Sequence, residues 1–478
     1  MSSLKDKTVK GVIWSSIDRF SAQGIQFVFS ILIARLLLPE DYGVIAMLNI
    51  FLAVSQTFIE SGFASALIRK IDRTEVDFST VFFFNIVVAA LLYILLWCCS
   101  PYIAKFYEIP ELERITKIVS LNLIVYSLSV VQRSKLSIDI DFKSGAKISI
   151  ISTLISGLIA WALAYYGYGV WALVVQSLVS GIIKTILLWY YVTWLPQIVF
   201  SWKSFKELFS FGSKLLASGL LDTLYNNVYT LIIGKVCSPS TLGVYTKANS
   251  LAQFPSSNIT GVLQGVTFPV LSTIQNEAGR LSDAYKRFLR LSAFIVFPLM
   301  IGLSAVANPL IRIMLTDKWD GAIYLLQIIC FSMMWYPIHA INLNIIQVKG
   351  RSDYFLKLEI IKKVQGVLIL CITVPLGVVA MCYGSVVSSL ISLIWNTHYT
   401  KKLIGYGYFA QMKDISPILI HSLIMGGIVV MVVHLMPTLW LKLIIGVLSG
   451  MIYYIAGAYI MKFPEMDELL TILKLKRN

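Results

Sequence analysis

From Val9 to Met461 the chain is a succession of apolar stretches of about 20 residues or more, parted by short polar or Gly/Pro breaks. A helix of that length matches the hydrocarbon thickness of a bilayer, so the pattern predicts an all-α polytopic membrane protein with about fourteen transmembrane helices. Their centres fall near Gln23, Ser55, Val88, Ile124, Ser156, Gly181, Leu221, Pro255, Val296, Trp335, Ile369, Ile391, Met425 and Val447. The turn between the Ile369 and Ile391 spans is marked only by the stretch from Gly377 to Gly384. The first apolar run continues to Leu38 without a small-residue cleavage site and reads as an uncleaved span, not a signal peptide.

Composition agrees with this pattern. Of the 478 residues 57% are hydrophobic and 14% charged, against about 25% charged in an ordinary soluble domain. The net charge of +15 would suggest nucleic acid in a soluble protein, but in a polytopic one it reflects basic cytoplasmic loops, and no nucleic-acid partner is expected. Alternate loops within 5–10, 69–73, 133–147, 203–206, 280–290, 349–357, 401–413 and 462–477 hold about 26 Lys and Arg, and the opposite loops about three, Lys105, Arg114 and Lys318. This alternation predicts an even number of spans with both termini cytoplasmic.

Comparison of the two halves shows an internal repeat. Ile33-Ala34-Arg35-Leu36, Pro39 and Gly43-Val44 match Ile233-Gly234-Lys235-Val236, Pro239 and Gly243-Val244 at a constant shift of about 200 residues, with Asn49 on Asn249. Six spans separate the copies, so both enter the membrane in the same direction and the repeat is parallel. The expected organisation is a six-helix lobe over 1–200, a second over 201–405, and two extra helices with an amphipathic cytoplasmic tail over 406–478.

Candidate chemistry lies in polar residues held inside the bilayer, where a central Arg, Lys or Asp costs about 2.5 to 3.5 kcal/mol on insertion scales. Ser15, Arg19, Gln23, Gln26 and Ser30 share about one quarter of the first helix's circumference. Asn49, Gln56 and Glu60 mark a polar face on the second span; Ser218, Asp222, Tyr225, Asn226 and Tyr229 do so on the seventh, and Lys247, Ser250 and Asn258 on the eighth. Asn122, Tyr126, Ser129 and Arg133 add a stripe on the fourth. Turning such faces toward one another around a water-accessible cavity between the lobes satisfies all of them. Single Ser, Asn and Gln residues equally suit static interhelical hydrogen bonds, and for the charged members the cavity is the better account. Lys184 suits either a snorkelling or a cavity-facing role. His339, His398, His421 and His434 lack ligand spacing and read as helix-helix hydrogen-bonding residues; no Cys/His cluster points to a metal.

Leu32-Ile33-Ala34-Arg35-Leu36-Leu37-Leu38-Pro39-Glu40-Asp41-Tyr42-Gly43, then Glu60-Ser61-Gly62-Phe63, Ile68-Arg69-Lys70, Phe106 to Leu112 and Gly169-Val170-Trp171-Ala172-Leu173, resemble the polysaccharide flippases of the multidrug/oligosaccharidyl-lipid/polysaccharide exporter superfamily. The Wzx-type lipopolysaccharide and colanic acid exporters are the nearest look. The likeness spans the chain in length and span count, and its motifs are structural turns. It implies export of an undecaprenyl-diphosphate-linked oligosaccharide across the bacterial inner membrane by alternating access, among membrane lipids and beside a polysaccharide polymerase and chain-length proteins. No cofactor is implied, and coupling to H+ or Na+ is left open. Under that resemblance Arg19, Lys214 and Lys247 are candidates for phosphate contact, Arg133 for the cytoplasmic entrance, Gln26 and Asn226 for the cavity lining, and Tyr225 for sugar stacking or packing. Asp222 and Glu60 are gating candidates. Arg19 and Asp222, on comparable faces of each lobe's first span, are expected either to approach one another as a gate or to form a static pair, Asp18 being another partner for Arg19.

Other functions are less well matched. The lipid-linked peptidoglycan precursor suits the same cationic cavity. A cation-coupled drug antiporter wants intramembrane carboxylates, which Lys and Arg outnumber here. A membrane glycosyltransferase or polymerase wants a sizeable catalytic loop, and the longest outside loop on this map is about a dozen residues.

Overall fold

The computed structural model describes residues 21–60 and 62–467, which form helices joined by short connections. Arg19 and the tail beyond residue 467 lie outside the described residues. Packing groups the chain into two compact units, Met1–Gly243 and Val244–Asn478.

The first unit contains α1 (Ser21–Leu36), α2 (Pro39–Glu60), α3 (Phe63–Arg69), α4 (Glu75–Tyr107), α5 (Glu111–Val119), α6 (Leu121–Ser127), α7 (Val130–Ile138), α8 (Phe142–Tyr165), α9 (Val170–Tyr191) and α10 (Trp202–Val236). Then α11 (Pro239–Thr273) leads into the second unit, which holds α12 (Ala278–Ala305), α13 (Ala307–Leu315), α14 (Gly321–Met333), α15 (Tyr336–Val348), α16 (Ser352–Thr373), α17 (Val378–Ile404), α18 (Tyr408–Leu435) and α19 (Leu439–Ile460). Among the described residues nine helical stretches are long and apolar enough to cross a membrane, α2 with α3 and α14 with α15 each counting as one; the bent α5–α7 element makes ten. Thirteen of the fourteen expected centres fall inside helices and the other, Trp335, falls at the break between α14 and α15, so the element order follows the hydropathy pattern.

The packing boundary at 243 differs from the lobe boundary expected at 200 because α10 lies against α2, α3 and α4. Thr57 and Thr223 share a 3.0 Å hydrogen bond there. A repeat boundary in sequence and a packing boundary need not coincide. The break nonetheless recurs: α1 ends at Leu36 and α2 begins at Pro39, while α10 ends at Val236 and α11 begins at Pro239.

Those two breaks touch each other. A Cβ placed on Gly43 would lie 1.8 Å from the carbonyl oxygen of Pro239, and one on Gly243 would lie 1.7 Å from that of Pro39. Only residues without a side chain permit two helix starts to meet backbone to backbone. The contact is reciprocal, each Gly facing the other copy's Pro. Nearby, Lys235 Nζ donates to the Phe106 carbonyl (2.6 Å) at the end of α4 and pairs with Glu108 (3.1 Å), where a cation meets the negative end of the helix dipole.

At the other end of α4, Thr74 and Asp77 form a capping box: the Thr74 N–H donates to Asp77 Oδ2 (2.8 Å) and the Asp77 N–H to Thr74 Oγ1 (3.4 Å). Asp77, 1% exposed, also holds Lys70 Nζ at 3.1 Å, and Lys70 pairs with Glu207 of α10 at 3.1 Å. The segment between α9 and α10 is pinned beside this cap, with the Gln197 N–H donating to Ser79 Oγ (3.0 Å) and the Ser201 N–H to Thr80 Oγ1 (3.1 Å). Phe63, Phe78, Phe82, Trp194 and Leu208 bury an apolar cluster around it.

In the second unit α12 packs on α18, and α18 on α19. A buried amide network ties α15 to α17 and α18: Asn342 and Gln411 exchange hydrogen bonds (3.1 and 3.2 Å), and Thr400 Oγ1 donates to Asn342 Oδ1 (2.7 Å). His339 contacts Ser389 Oγ (3.0 Å) and Asn396 Nδ2 (2.9 Å) across helices, the role its isolation in the sequence suggested.

Candidate functional site

The site begins with serines that compete for backbone carbonyls. Ser120 Oγ donates to the Lys117 carbonyl (3.2 Å), Ser127 Oγ to that of Ile124 (2.8 Å) and Ser129 Oγ to that of Tyr126 (2.8 Å). Such i−3 back-bonding weakens the helical ladder, and the fourth expected span is accordingly broken into α5, α6 and α7, with a 41° bend after Ser127. Side chains of α9 serve the carbonyls at the break: Thr185 Oγ1 donates to Val125 (3.0 Å) and Trp189 Nε1 to Leu128 (2.9 Å).

Arg133, one turn beyond the bend, turns back onto it. Its Nη2 donates to the Tyr126 carbonyl (3.2 Å) and to Ser129 Oγ (2.7 Å), and its guanidinium carbon stands 3.8 Å from the centroid of the Tyr126 ring. The Tyr126 hydroxyl donates to the Glu60 carboxylate at the end of α2. A carboxylate, a phenol and a guanidinium thus stand in series between α2 and α7.

This series borders a cavity of about 790 Å³ contained within residues 26–188. α8 contributes Ser149, Thr153 and Ser156 at i, i+4 and i+7, the spacing of one helix face. From α9 come Gln176, Ser180 and Lys184, again four apart, and from α1 Gln26 and Ser30. The Asp141 carboxylate lines the cavity too but accepts the Ser144 N–H (3.1 Å) as the N-cap of α8, so its charge complements that helix end.

The expected site residues therefore separate. Gln26 and Arg133 line this cavity, as do Asn122, Tyr126 and Ser129 of the same stripe, and Lys184, whose sequence position left its role open, lines it too. Glu60 joins through Tyr126. Lys214, Asp222 and Asn226 are exposed on α10 and Tyr225 is half-buried there; none of the four lines the cavity. Lys247, in the second unit, is buried with its Nζ 5.9 Å from the centroid of the Trp319 ring. Arg19, the expected partner of Asp222, lies outside the described residues. Sequence reasoning missed the hydroxyl face of α8 and the Gln176 face of α9. Their fourfold spacing was the available signal, but small hydroxyls scarcely alter hydropathy.

A family model for polysaccharide biosynthesis proteins matches residues 32–324, more than half of the chain. The chain belongs to this family. Among curated relatives of this polysaccharide biosynthesis protein, the teichuronic acid biosynthesis protein TuaB of Bacillus subtilis (strain 168) is 28% identical over 471 residues, covering 95% of this chain and 96% of that one. The lipopolysaccharide biosynthesis protein WzxC of Escherichia coli (strain K12) is 22% identical over 362 residues, 75% of this chain and 74% of that one. Among solved structures, the lipid II flippase MurJ in an inward closed conformation matches with a TM-score of 0.79 over 94% of this chain and 98% of that one, at 15% identity, a likeness of fold. This polysaccharide biosynthesis protein is thus multi-pass, with helices long and apolar enough to cross a membrane repeatedly and the fold of a solved flippase.

Proposed function

We propose that the chain carries a lipid-linked glycan precursor, an undecaprenyl-diphosphate-linked oligosaccharide for surface polysaccharide, across a bacterial cytoplasmic membrane by alternating access. The observation that carries the mechanism is the reciprocal Gly43–Pro239 and Pro39–Gly243 contact. Two copies of one motif meeting backbone to backbone make a point that closes or parts as a unit, and the basic-loop pattern puts it on the outer side. The glycan cargo is supported by the family and by relatives whose names attach them to teichuronic acid and lipopolysaccharide.

In this reading there are fourteen spans in two six-helix lobes, 1–200 and 201–405, followed by 406–478. The ten spans counted above, with α1, α10, α11 and α16, give that number. The last three are 35, 35 and 22 residues long and are more polar because they carry the residues assigned to the transport path or, in α16, Lys357, Glu359, Lys362 and Lys363. Arg19, Lys214 and Lys247 contact the diphosphate, Arg133 stands at the cytoplasmic entrance, and Asp222 and Glu60 take part in gating. A second reading, transport of the lipid-linked peptidoglycan precursor, is favoured by the fold likeness to a lipid II flippase over 94% of the chain.

A clean deletion separates the two. Loss of surface polymer with a lipid-linked oligosaccharide retained on the cytoplasmic side supports the first, retention of the lipid-linked disaccharide-peptide the second, and normal levels of both overturn the transport reading. Topology is checked with single cysteines in a background lacking the native ones. Ser240→Cys should react with an impermeant thiol reagent on intact spheroplasts and Arg280→Cys should not, both positions being exposed. The reverse labelling inverts the orientation.

A further inference from the structure

Neither Lys214 nor Lys247, two of the phosphate contacts assigned above, lines the cavity within residues 26–188. The polar part of its lining comes chiefly from side-chain amides, Gln26, Gln56, Asn122 and Gln176, and from the hydroxyls of α8 and α9, set among aliphatic residues such as Ile45, Leu52 and Leu173. A primary amide offers two donors and an acceptor, and a hydroxyl offers both roles, which matches the vicinal hydroxyls of a sugar ring, themselves donors and acceptors. A diphosphate instead calls for a concentration of cations or backbone N–H groups. Among the described residues two cations line it, Arg133 and Lys184, and the Arg133 guanidinium already donates to the Tyr126 carbonyl and the Ser129 hydroxyl. The volume, about 790 Å³, lies in the range of small-ligand sites.

One amide is held in a fixed orientation. Asn122 Nδ2 donates to Ser177 Oγ at 2.6 Å, and a Cβ on Gly181 would come within 2.8 Å of Asn122 Oδ1. Gly181 therefore makes the room in which the amide lies, and Ser177 sets its direction. An oriented amide discriminates between epimers, since a hydroxyl in the wrong configuration leaves its hydrogen-bonding capacity unmet.

We propose that this cavity is a sugar-reading subsite that takes ring units of the lipid-linked precursor, with Asn122, positioned by Ser177 and Gly181, as a specificity-determining residue. The proposal rests on the transport reading, which makes a glycan the cargo. It adds to that reading a site inside the first unit that neither Lys214 nor Lys247 lines.

The test uses Gly145, which lines the cavity and where an added Cβ meets nothing within 4 Å, so the side chain of Gly145→Phe starts into open space. The probe is the oligosaccharide repeat released from the cell's own surface polymer, or the disaccharide-peptide if the deletion retains that lipid. Purified full-length protein is titrated with it, and binding is read from intrinsic fluorescence. The wild type should bind; Gly145→Phe and Asn122→Ala should each weaken binding by about tenfold or more at unchanged unfolding midpoint. Inorganic pyrophosphate should not compete. If Gly145→Phe does lower the midpoint, Asn122→Ala, which only removes atoms from the cavity wall, decides. No binding to the wild type at about 10 mM, undiminished binding by Asn122→Ala, or displacement by pyrophosphate would overturn the subsite. A deletion that loses polymer while Asn122→Ala binds and exports normally removes the subsite and leaves the transport reading standing. A deletion without phenotype removes the transport reading itself.

Discussion

Replacing Gly243 by valine should lower export by at least about a hundredfold while the protein remains folded and inserted. The new Cβ would sit 1.7 Å from the Pro39 carbonyl oxygen, and the opposing atom is backbone, so no rotamer change relieves the overlap. Overpacking a core that can yield costs about 1–3 kcal/mol, and about 2.7 kcal/mol already moves an equilibrium a hundredfold. The closed contact is therefore lost, and with it, on the proposed transport reading, alternation. Gly43→Val should act alike, since its Cβ meets the Pro239 carbonyl at 1.8 Å. The double variant should be no worse than either single one, because the two substitutions abolish one state, and changes that act on one element do not add. Surface polymer measured beside protein abundance in the membrane fraction gives the answer. If the singles vanish from the membrane, the contact is structural and not a gate; if they export normally, closure there is not needed.

The largest effect on stability should come from Asp77→Ala. Asp77 is 1% exposed, caps α4 through Thr74 and is the buried partner of Lys70, which is itself 13% exposed. Breaking a buried pair from one side costs about 3–5 kcal/mol because the other charge stays behind. Here Glu207, 54% exposed, still reaches Lys70 at 3.1 Å and offsets part of that loss. A net loss of about 3 kcal/mol remains once the cap, worth about 1 kcal/mol, is included. Asp77→Asn keeps an acceptor for the Thr74 N–H and should lose about half as much. Glu207→Gln, on the exposed side of the triad, should cost less than about 1 kcal/mol. Unfolding of the purified variants ranks the three; equal effects for Asp77→Ala and Glu207→Gln would mean that burial does not govern this cluster.

The element order was legible because the membrane imposes one period and one length on every span, and even the weakly marked pair near Ile369 and Ile391 appears as α16 and α17. The stripe from Asn122 to Arg133 was legible for a related reason, since an arginine in an apolar span draws attention to its neighbours. Its consequence was less so. The stripe fronts a cavity within the first unit, whose other walls are built from Ser149, Thr153, Ser156, Gln176 and Ser180. Serine and threonine satisfy themselves on the preceding turn and leave almost no trace in a hydropathy profile. The break at Ser127–Ser129 was missed for the same reason: the segment stays apolar on average while its hydroxyls redirect the ladder. Polar faces on α10 were visible, but a stripe does not say which neighbour it meets. The Thr57–Thr223 bond and the Gly43–Pro239 contact depend on pairs 166 and 196 residues apart.

The bent α5–α7 element also constrains how the protein is made. The bend leaves carbonyls that a straight helix would occupy, and in hydrocarbon an unserved carbonyl costs several kcal/mol. Arg133 serves Tyr126 from the same segment, so that partner emerges from the ribosome together with the bend. Val125 and Leu128 depend on Thr185 and Trp189, which are synthesised 60 and 61 residues later. Until that hairpin has been inserted the nascent segment has no reason to adopt its final shape in lipid, and it must wait straight, at the membrane surface or in the care of the insertion machinery. Chains interrupted between α8 and α9 would therefore present an unfinished helix to quality control, although every span up to that point had been translated in full.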